Sequence, residues 1–413
     1  MWEAYYVHNG KVTRGSAFGN LPDAARATLV GRAVHFTFNN GRLDGLLQAD
    51  GMAIKGSWTA PGLPARPMTL IRHWQTPIAP LPYDSTEVTY PSGDGTIIAG
   101  TVTAPRSPGK KAAIVLIVGS LPADRDYVGL NESPAQKPFA VLADDLTRHG
   151  IVVLRYDERG VGRSGGDYIK ASEAQLEQDI SAGLALLAAR SDVDPTRIGV
   201  IGHSEGGILA GRIAANDPRV AFAILLATPS LPGLSFATTQ AARIARSRGL
   251  SPAEAANRAE ITKRIDAAVL ESRTQEEARS NIRKALQGLK QDGALIGPIA
   301  IENNANLAST DLYRFLLTDD PAVVLRTESK PILALMGGDD IFVDPALNLS
   351  PLKAALRNDA FATICLLPGI SHRLRTGDFG GLGDGDDIVE TIDPFVLGVL
   401  DAWLSDVANV SRK

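Results

Sequence analysis

Gly202-His203-Ser204-Glu205-Gly206 sets a serine between two glycines in the spacing G-x-S-x-G, which serves acyl transfer when a strand runs into it and a helix leaves it. Both flanks are present. Residues 198–201 are a short apolar run that reads as a buried strand, and the small and apolar residues 206–215 read as a helix. Such a turn holds serine in a strained backbone conformation with its hydroxyl exposed. Side chains at 202 and 206 would collide with the neighbouring strand and helix, so glycine is needed at both. The helix start adds N–H groups and a favourable dipole for developing negative charge. An ordinary glycine-rich turn is the bland alternative, and the flanks favour Ser204 as a nucleophile.

A serine nucleophile needs a base. Of six histidines, His8, His35 and His73 lie in the N-terminal region, and His149 ends a predicted helix just before Gly150. His203 adjoins the serine, where its side chain is expected to point away from it. His372 sits in Pro368-Gly369-Ile370-Ser371-His372, beyond the C-terminal end of a predicted strand over 362–367. Open parallel sheets bind ligands at that edge. Elimination and position both select His372. The base needs an orienting acid, expected in the order serine, acid, histidine. The loop Gly337-Gly338-Asp339-Asp340-Ile341-Phe342-Val343-Asp344 offers three aspartates. Asp340 is preferred, with Asp339 and Asp344 as loop or capping residues. An oxyanion hole needs two preorganised N–H donors. Glu205, the residue after the serine, is one. Ser120 in Gly119-Ser120-Leu121-Pro122 is the other, with Leu121 as its alternative. This chemistry requires no metal and no organic cofactor.

The elements that must position these residues follow from periodicity. Residues 1–75 read as a small β-rich domain, with turn signals at Asn40-Gly41 and Asp50-Gly51. The Pro-rich stretch at 76–84 reads as a linker. From residue 85 the pattern changes to apolar strands alternating with helices, which implies a mostly parallel sheet covered on both faces. A hairpin is expected around Gly93-Asp94-Gly95, strands near 112–118, 151–154, 198–201, 221–227, 332–336 and 362–367, and helices over 138–149, 173–189 and 394–404. The core is thus divided into 85–233 and 330–413. Between them, 234–329 shows no strand. Capping boxes at Ser251–Glu254 and Thr274–Glu277 mark it as a helical cap insertion. It is expected over the active-site edge, with Leu312, Tyr313, Phe315 and Leu316 as candidates for its inner face.

Several segments together resemble a known family. They are Gly119-Ser120-Leu121-Pro122-Ala123-Asp124-Arg125-Asp126, Tyr156-Asp157-Glu158-Arg159-Gly160-Val161-Gly162-Arg163-Ser164, the serine turn, Leu335-Met336-Gly337-Gly338-Asp339-Asp340 and Leu367-Pro368-Gly369-Ile370-Ser371-His372. In this order, over residues 85–405, they resemble bacterial α/β-hydrolase-fold serine esterases of the dienelactone-hydrolase-like group. The resemblance implies the α/β-hydrolase fold and carboxylesterase activity through an acyl-enzyme on Ser204. It also matches the Asp340 register, since the family's acid lies three residues after the first glycine of that loop. Members often carry a small β-rich N-terminal domain. The chain departs from the family at Val118-Gly119, where His-Gly is usual. The segment 157–164 corresponds to a structural turn and is not read as a phosphate loop.

Short-acyl carboxylic esters are the expected substrates. A thioesterase or acyltransferase with the same triad is the nearest alternative. A propeller-bearing serine peptidase is disfavoured, because about 75 N-terminal residues cannot build a propeller. A non-catalytic binding module is the reading from a different class. The net charge of -4 provides no field to draw nucleic acid. A lone cysteine, Cys365, allows no intrachain disulfide and no cysteine-based metal cluster. Gly- and Asp-rich residues 378–387 lack calcium-loop spacing and read as a solvated loop. No apolar run reaches the roughly 18 residues of a membrane span. The chain is expected to be cytoplasmic if complete, and periplasmic or secreted if a leader has been removed.

Overall fold

The computed structural model describes residues 2–8, 11–14, 26–38, 41–48, 53–62, 64–72, 77, 80–128, 137–291, 298–376 and 391–409. The chain divides into two compact units, Met1–Gln75 and Thr76–Lys413.

The first unit is an antiparallel sheet of β1 (Trp2–His8), β2 (Lys11–Arg14), β3 (Arg26–Val30), β4 (Ala33–Phe38), β5 (Gly41–Leu47), β6 (Ala53–Thr59) and β7 (Arg66–Arg72), in the order β2-β1-β7-β6-β5-β4-β3. Period-two alternation gathers Val34, Leu43, Ile54 and Met68 into one buried cluster, with Phe36, Leu47 and Trp58 packed against it. Leu43 stands opposite Phe36 on one side and Trp58 on the other. Such cross-strand pairs hold the register. The Asp50-Gly51 turn and Asn40 lie outside the described residues.

The second unit opens with the hairpin β8 (Tyr83–Pro91) and β9 (Ile97–Pro105), whose turn uses Gly95 at φ 83°. There follow β10 (Lys111–Ile117), α1 (Pro138–Arg148), β11 (Val152–Tyr156), α2 (Glu173–Ala188), β12 (Val193–His203), α3 (Glu205–Asn216) and β13 (Val220–Leu226). After a run of helices come β14 (Ile332–Gly337), α10 (Pro345–Ala355), β15 (Thr363–Leu367) and α11 (Pro394–Asn409). The sheet order is β15-β14-β13-β12-β10-β11-β9-β8. Strands from β15 to β11 pair in parallel, and β9 and β8 add an antiparallel edge.

Every residue of β10 is buried. Ala113, Val115 and Ile117 join the apolar cluster on one face of the sheet, while Ala112, Ile114 and Leu116 join that on the other. Helices cover both faces, which is why the parallel strands read as unbroken apolar runs. The turn after β11 is held by Arg159. Its guanidinium is buried and donates to Asp179 on α2 (2.8 and 2.6 Å) and to Asp94 in the hairpin (2.9 Å).

Between β13 and β14 the chain forms α4 (Gly233–Ser247), α5 (Pro252–Glu271), α6 (Gln275–Gln291), α7 (Pro298–Ala308), α8 (Asp311–Thr318) and α9 (Pro321–Leu325). Ser251 and Glu254 make a complete capping box at α5, with Pro252 in the first turn. At α6, Thr274 Oγ1 accepts the Glu277 N–H at 3.1 Å, but the Glu277 carboxylate reaches the Arg273 N–H instead of that of Thr274. Ile261, Ile265, Val269, Ile282, Leu286 and Ile301 give these helices a core of their own.

Candidate active site

Ser204 stands between β12 and α3 at φ 55°, ψ -121°, a left-handed conformation that a residue with a Cβ adopts at a cost of roughly 1–3 kcal/mol. Close packing enforces it. A Cβ at Gly202 would run into the Gly206 carbonyl, and one at Gly206 into the Val118 carbonyl. The Ser204 N–H is tied to the Leu226 carbonyl of β13 at 2.8 Å. Ser204 Oγ has no hydrogen-bond partner among the described residues, and contacts between nucleophile and base commonly tighten only with substrate bound.

His372 lies beyond β15, and its Nδ1 is 2.8 Å from Asp340 Oδ2. Since the carboxylate accepts, Nδ1 carries the proton and Nε2 is left with its lone pair for a proton from serine. Asp340 is 1% exposed, and its other oxygen accepts the N–H groups of Phe342 (2.8 Å) and Val343 (2.7 Å). The other two aspartates of this loop do other things. Asp339 is exposed. Asp344 caps α10 through the Ala346 N–H at 2.9 Å and pairs with Arg243. Arg243 also donates to the Asp340 carbonyl at 3.2 Å, and Gln240 Nε2 to the Phe342 carbonyl at 3.2 Å. Helix α4 therefore grips the acid loop directly. The Phe342 ring lies 5.1 Å from the His372 ring.

The loop after β10 has three N–H groups near the serine. That of Gly119 donates to Tyr127 Oη at 2.9 Å, and that of Leu121 faces the Tyr168 hydroxyl. Among the described residues, the N–H groups of Ser120 and Glu205 have no partner. Those two are the candidate oxyanion donors. Burial pushes the Glu205 carboxyl up to about 7, while the neighbouring Ser120 side chain favours its charged form. A second buried acid, Glu158, is held well above the usual carboxylate range by burial and accepts the Ala123 N–H at 3.0 Å. Burial disfavours the charged form of both acids.

Ser204, His372 and Ser120 line one cavity of about 330 Å³, walled by Phe139, Leu142, Leu226, Ile244, Phe342 and Ile392 with polar Gln240 and Tyr127. The cap residues proposed from sequence do not reach it. Leu312 packs into the core with Ala322 and Leu325, Tyr313 donates to Asp266 at 2.8 Å, and the Phe315 ring lies under the Arg212 guanidinium at 5.2 Å. Leu316 is also absent from the lining, whereas Gln240 and Ile244 of α4 are in it. The apolar spacing of α8 is the same whether it faces a core or a cavity, so the sequence carried no signal to separate them. Tyr127, His203, Phe342 and Arg243 were also missed, because their contacts span long sequence separations. Residues 378–387 lie outside the described residues. Asp145, His149 and Asp401 are the one group among the described residues whose ligand atoms come close enough to suggest a metal, and they stand on α1 and α11, apart from the cavity lining.

A mostly parallel sheet with a serine on a strained elbow, facing a histidine–aspartate pair at the strands' C-terminal edge, defines the α/β-hydrolase fold. The family described as serine aminopeptidase, S33, matches residues 129–376, and the chain belongs to it. Esterase EstD of Thermotoga maritima is 32% identical over 136 residues, covering 33% of this chain and 31% of that protein. The thiohydrolase apmlB of Arthrinium phaeospermum is 28% identical over 149 residues, covering 36% and 44%. The chain thus spans less than half the length of these relatives. Among solved structures, the Pyrococcus furiosus esterase Pf2001 aligns over 79% of this chain and 92% of its own at 14% identity, with a TM-score of 0.49.

Proposed function

We propose that the chain is a serine carboxylesterase that hydrolyses short-acyl esters through an acyl-enzyme on Ser204. The observation that carries this reading is the shared cavity: a strained, partly buried serine and a histidine whose far nitrogen is held by a buried aspartate line the same space. His372 Nε2 takes the Ser204 proton as Oγ attacks the ester carbonyl. The N–H groups of Ser120 and Glu205 donate hydrogen bonds to the oxyanion. Asp340 holds the histidine in the productive tautomer and balances the imidazolium. His372 then protonates the departing alkoxide, and water repeats the cycle on the acyl-enzyme. A cavity of about 330 Å³ is near the lower end of the roughly 300–1,000 Å³ range of ligand pockets, which supports short acyl groups.

The same machinery attacks a thioester, and the thiohydrolase relative favours including that class in the test. Ser204→Ala, checked for an unchanged far-UV spectrum, is assayed on p-nitrophenyl esters, acyl thioesters and aminoacyl amides beside wild type. Loss of turnover and of fluorophosphonate labelling is expected. A folded alanine variant with wild-type turnover would overturn the assignment of the nucleophile. A wild type that cleaves only amides would overturn the ester reading.

A further inference from the structure

We infer that Tyr127 and His203 are positioning residues that lock the oxyanion loop to the backbone of the base through one directed chain of hydrogen bonds. The inference rests on the proposed roles of Ser204 and His372. Gly119 N lies 2.9 Å from Tyr127 Oη, Tyr127 Oη lies 2.9 Å from His203 Nδ1, and His203 Nε2 lies 2.8 Å from the His372 carbonyl oxygen. The direction of each bond follows from chemistry. A carbonyl only accepts, so the proton of His203 is on Nε2. With the ring neutral, Nδ1 has only a lone pair, so the Tyr127 O–H must donate to it. The tyrosine oxygen is then free to accept the Gly119 N–H. Burial, with His372 adding repulsion, pushes His203 down to about 3 and keeps the ring neutral across the working range.

The surrounding geometry requires this chain. A Cβ at Gly119 would collide with Tyr127 Oη and come within 3.2 Å of Ser204 Cβ. Leu121 at φ 77° and Tyr127 at φ 64° are left-handed residues with side chains in the loop that follows β10. Such conformations persist where the surroundings over-determine them. Tyr127 is wedged against Phe139 (4.9 Å between ring centres) and His203 (5.4 Å). Val118 offers no side-chain hydrogen bond to this loop, and at Gly119 the hold comes from Tyr127. Ser120 follows Gly119 directly, and anchoring the Gly119 peptide aligns the Ser120 N–H with the serine.

Tyr127→Phe keeps the ring and removes the link. On p-nitrophenyl acetate, kcat is expected to fall about tenfold to a hundredfold with KM within about twofold, less than the roughly 10²–10³ lost when an oxyanion donor is deleted outright. His203→Gln should lose a similar factor. The double variant should lose no more than the worse single one, since both break one chain. Nitrogen-15 histidine spectra of the full-length wild type, assigned with His203→Gln, supply a readout independent of turnover. One ring should remain the Nε2–H tautomer from pH 5 to 8. Failure of the esterase reading would appear separately, as wild type without turnover on any ester or labelling of Ser204. The inference is overturned if Tyr127→Phe retains kcat or changes KM instead, if the losses add, or if His203 carries its proton on Nδ1 or titrates near neutral pH.

Discussion

Replacing Glu205 by glutamine removes a titrating group from a place water does not reach, while keeping its shape and an oxygen for Ser120. Glu205 is 5% exposed, and burial raises its carboxyl from 4.5 to about 7. That is about a three-hundredfold change in proton affinity, or about 3 kcal/mol. The unfolded chain releases this proton above pH 4.5, whereas the folded protein holds it until about 7. The stability contributed by protonated Glu205 is therefore fully present below about pH 4.5. It is lost progressively as pH rises, and is gone above about 7. Glutamine does not ionise. The stability difference between Glu205→Gln and wild type should accordingly move by about 3 kcal/mol in favour of glutamine between pH 4.5 and pH 7.5. Urea unfolding of both proteins, followed by far-UV circular dichroism at four pH values, reads this directly. A difference that stays constant within about 1 kcal/mol over that range would refute the reasoning, because it would mean that the buried acid ionises as if in water.

Asp340→Asn should cost activity on the order of 10⁴, by analogy with other triads that lose the orienting carboxylate, while Asp339→Asn stays close to wild type. Comparable losses in both, measured as kcat/KM on one ester, would count against Asp340. Ile244→Ala, which enlarges the cavity from the cap side, should shift the preference among p-nitrophenyl esters toward longer acyl chains. Phe315→Ala, which lies under Arg212 and away from the cavity, should leave that profile where it was, and the reverse pattern would refute the placement of the cavity wall. Leu154→Ala empties part of the fully buried core and should destabilise the protein by about 2–5 kcal/mol in urea unfolding; a cost below about 1 kcal/mol would be inconsistent with its burial.

The elements of the second unit were legible because their signals are local. An unbroken apolar run such as Ala112–Val118 fits a strand buried on both faces, and β10 is buried along its whole length. The serine turn was legible because its G-x-S-x-G pattern is local and the glycine at 202 answers to a clash with Gly206 four residues on, although the one at 206 meets the Val118 carbonyl of a neighbouring strand. The helical character of the segment between β13 and β14 could be read from capping chemistry at Ser251, which is a contact across three residues.

What spans a long separation was not legible. Three aspartates share one loop, and sequence spacing ranks them only by analogy. In the folded chain, one carboxylate lies on the histidine 32 residues away, one is exposed and one caps a helix. Apolar residues on α8 have the spacing of a cavity wall, yet they meet the core, Asp266 and Arg212, while α4 faces the cavity. His203 was read as turned away from the serine, with no further role. Its partners, Tyr127 and the His372 carbonyl, lie 76 and 169 residues away. Local propensity and periodicity act over a turn or a strand pair, so they determine which elements form and where they end. Which side chains then meet is decided by the packing of elements that the chain brings together only after folding.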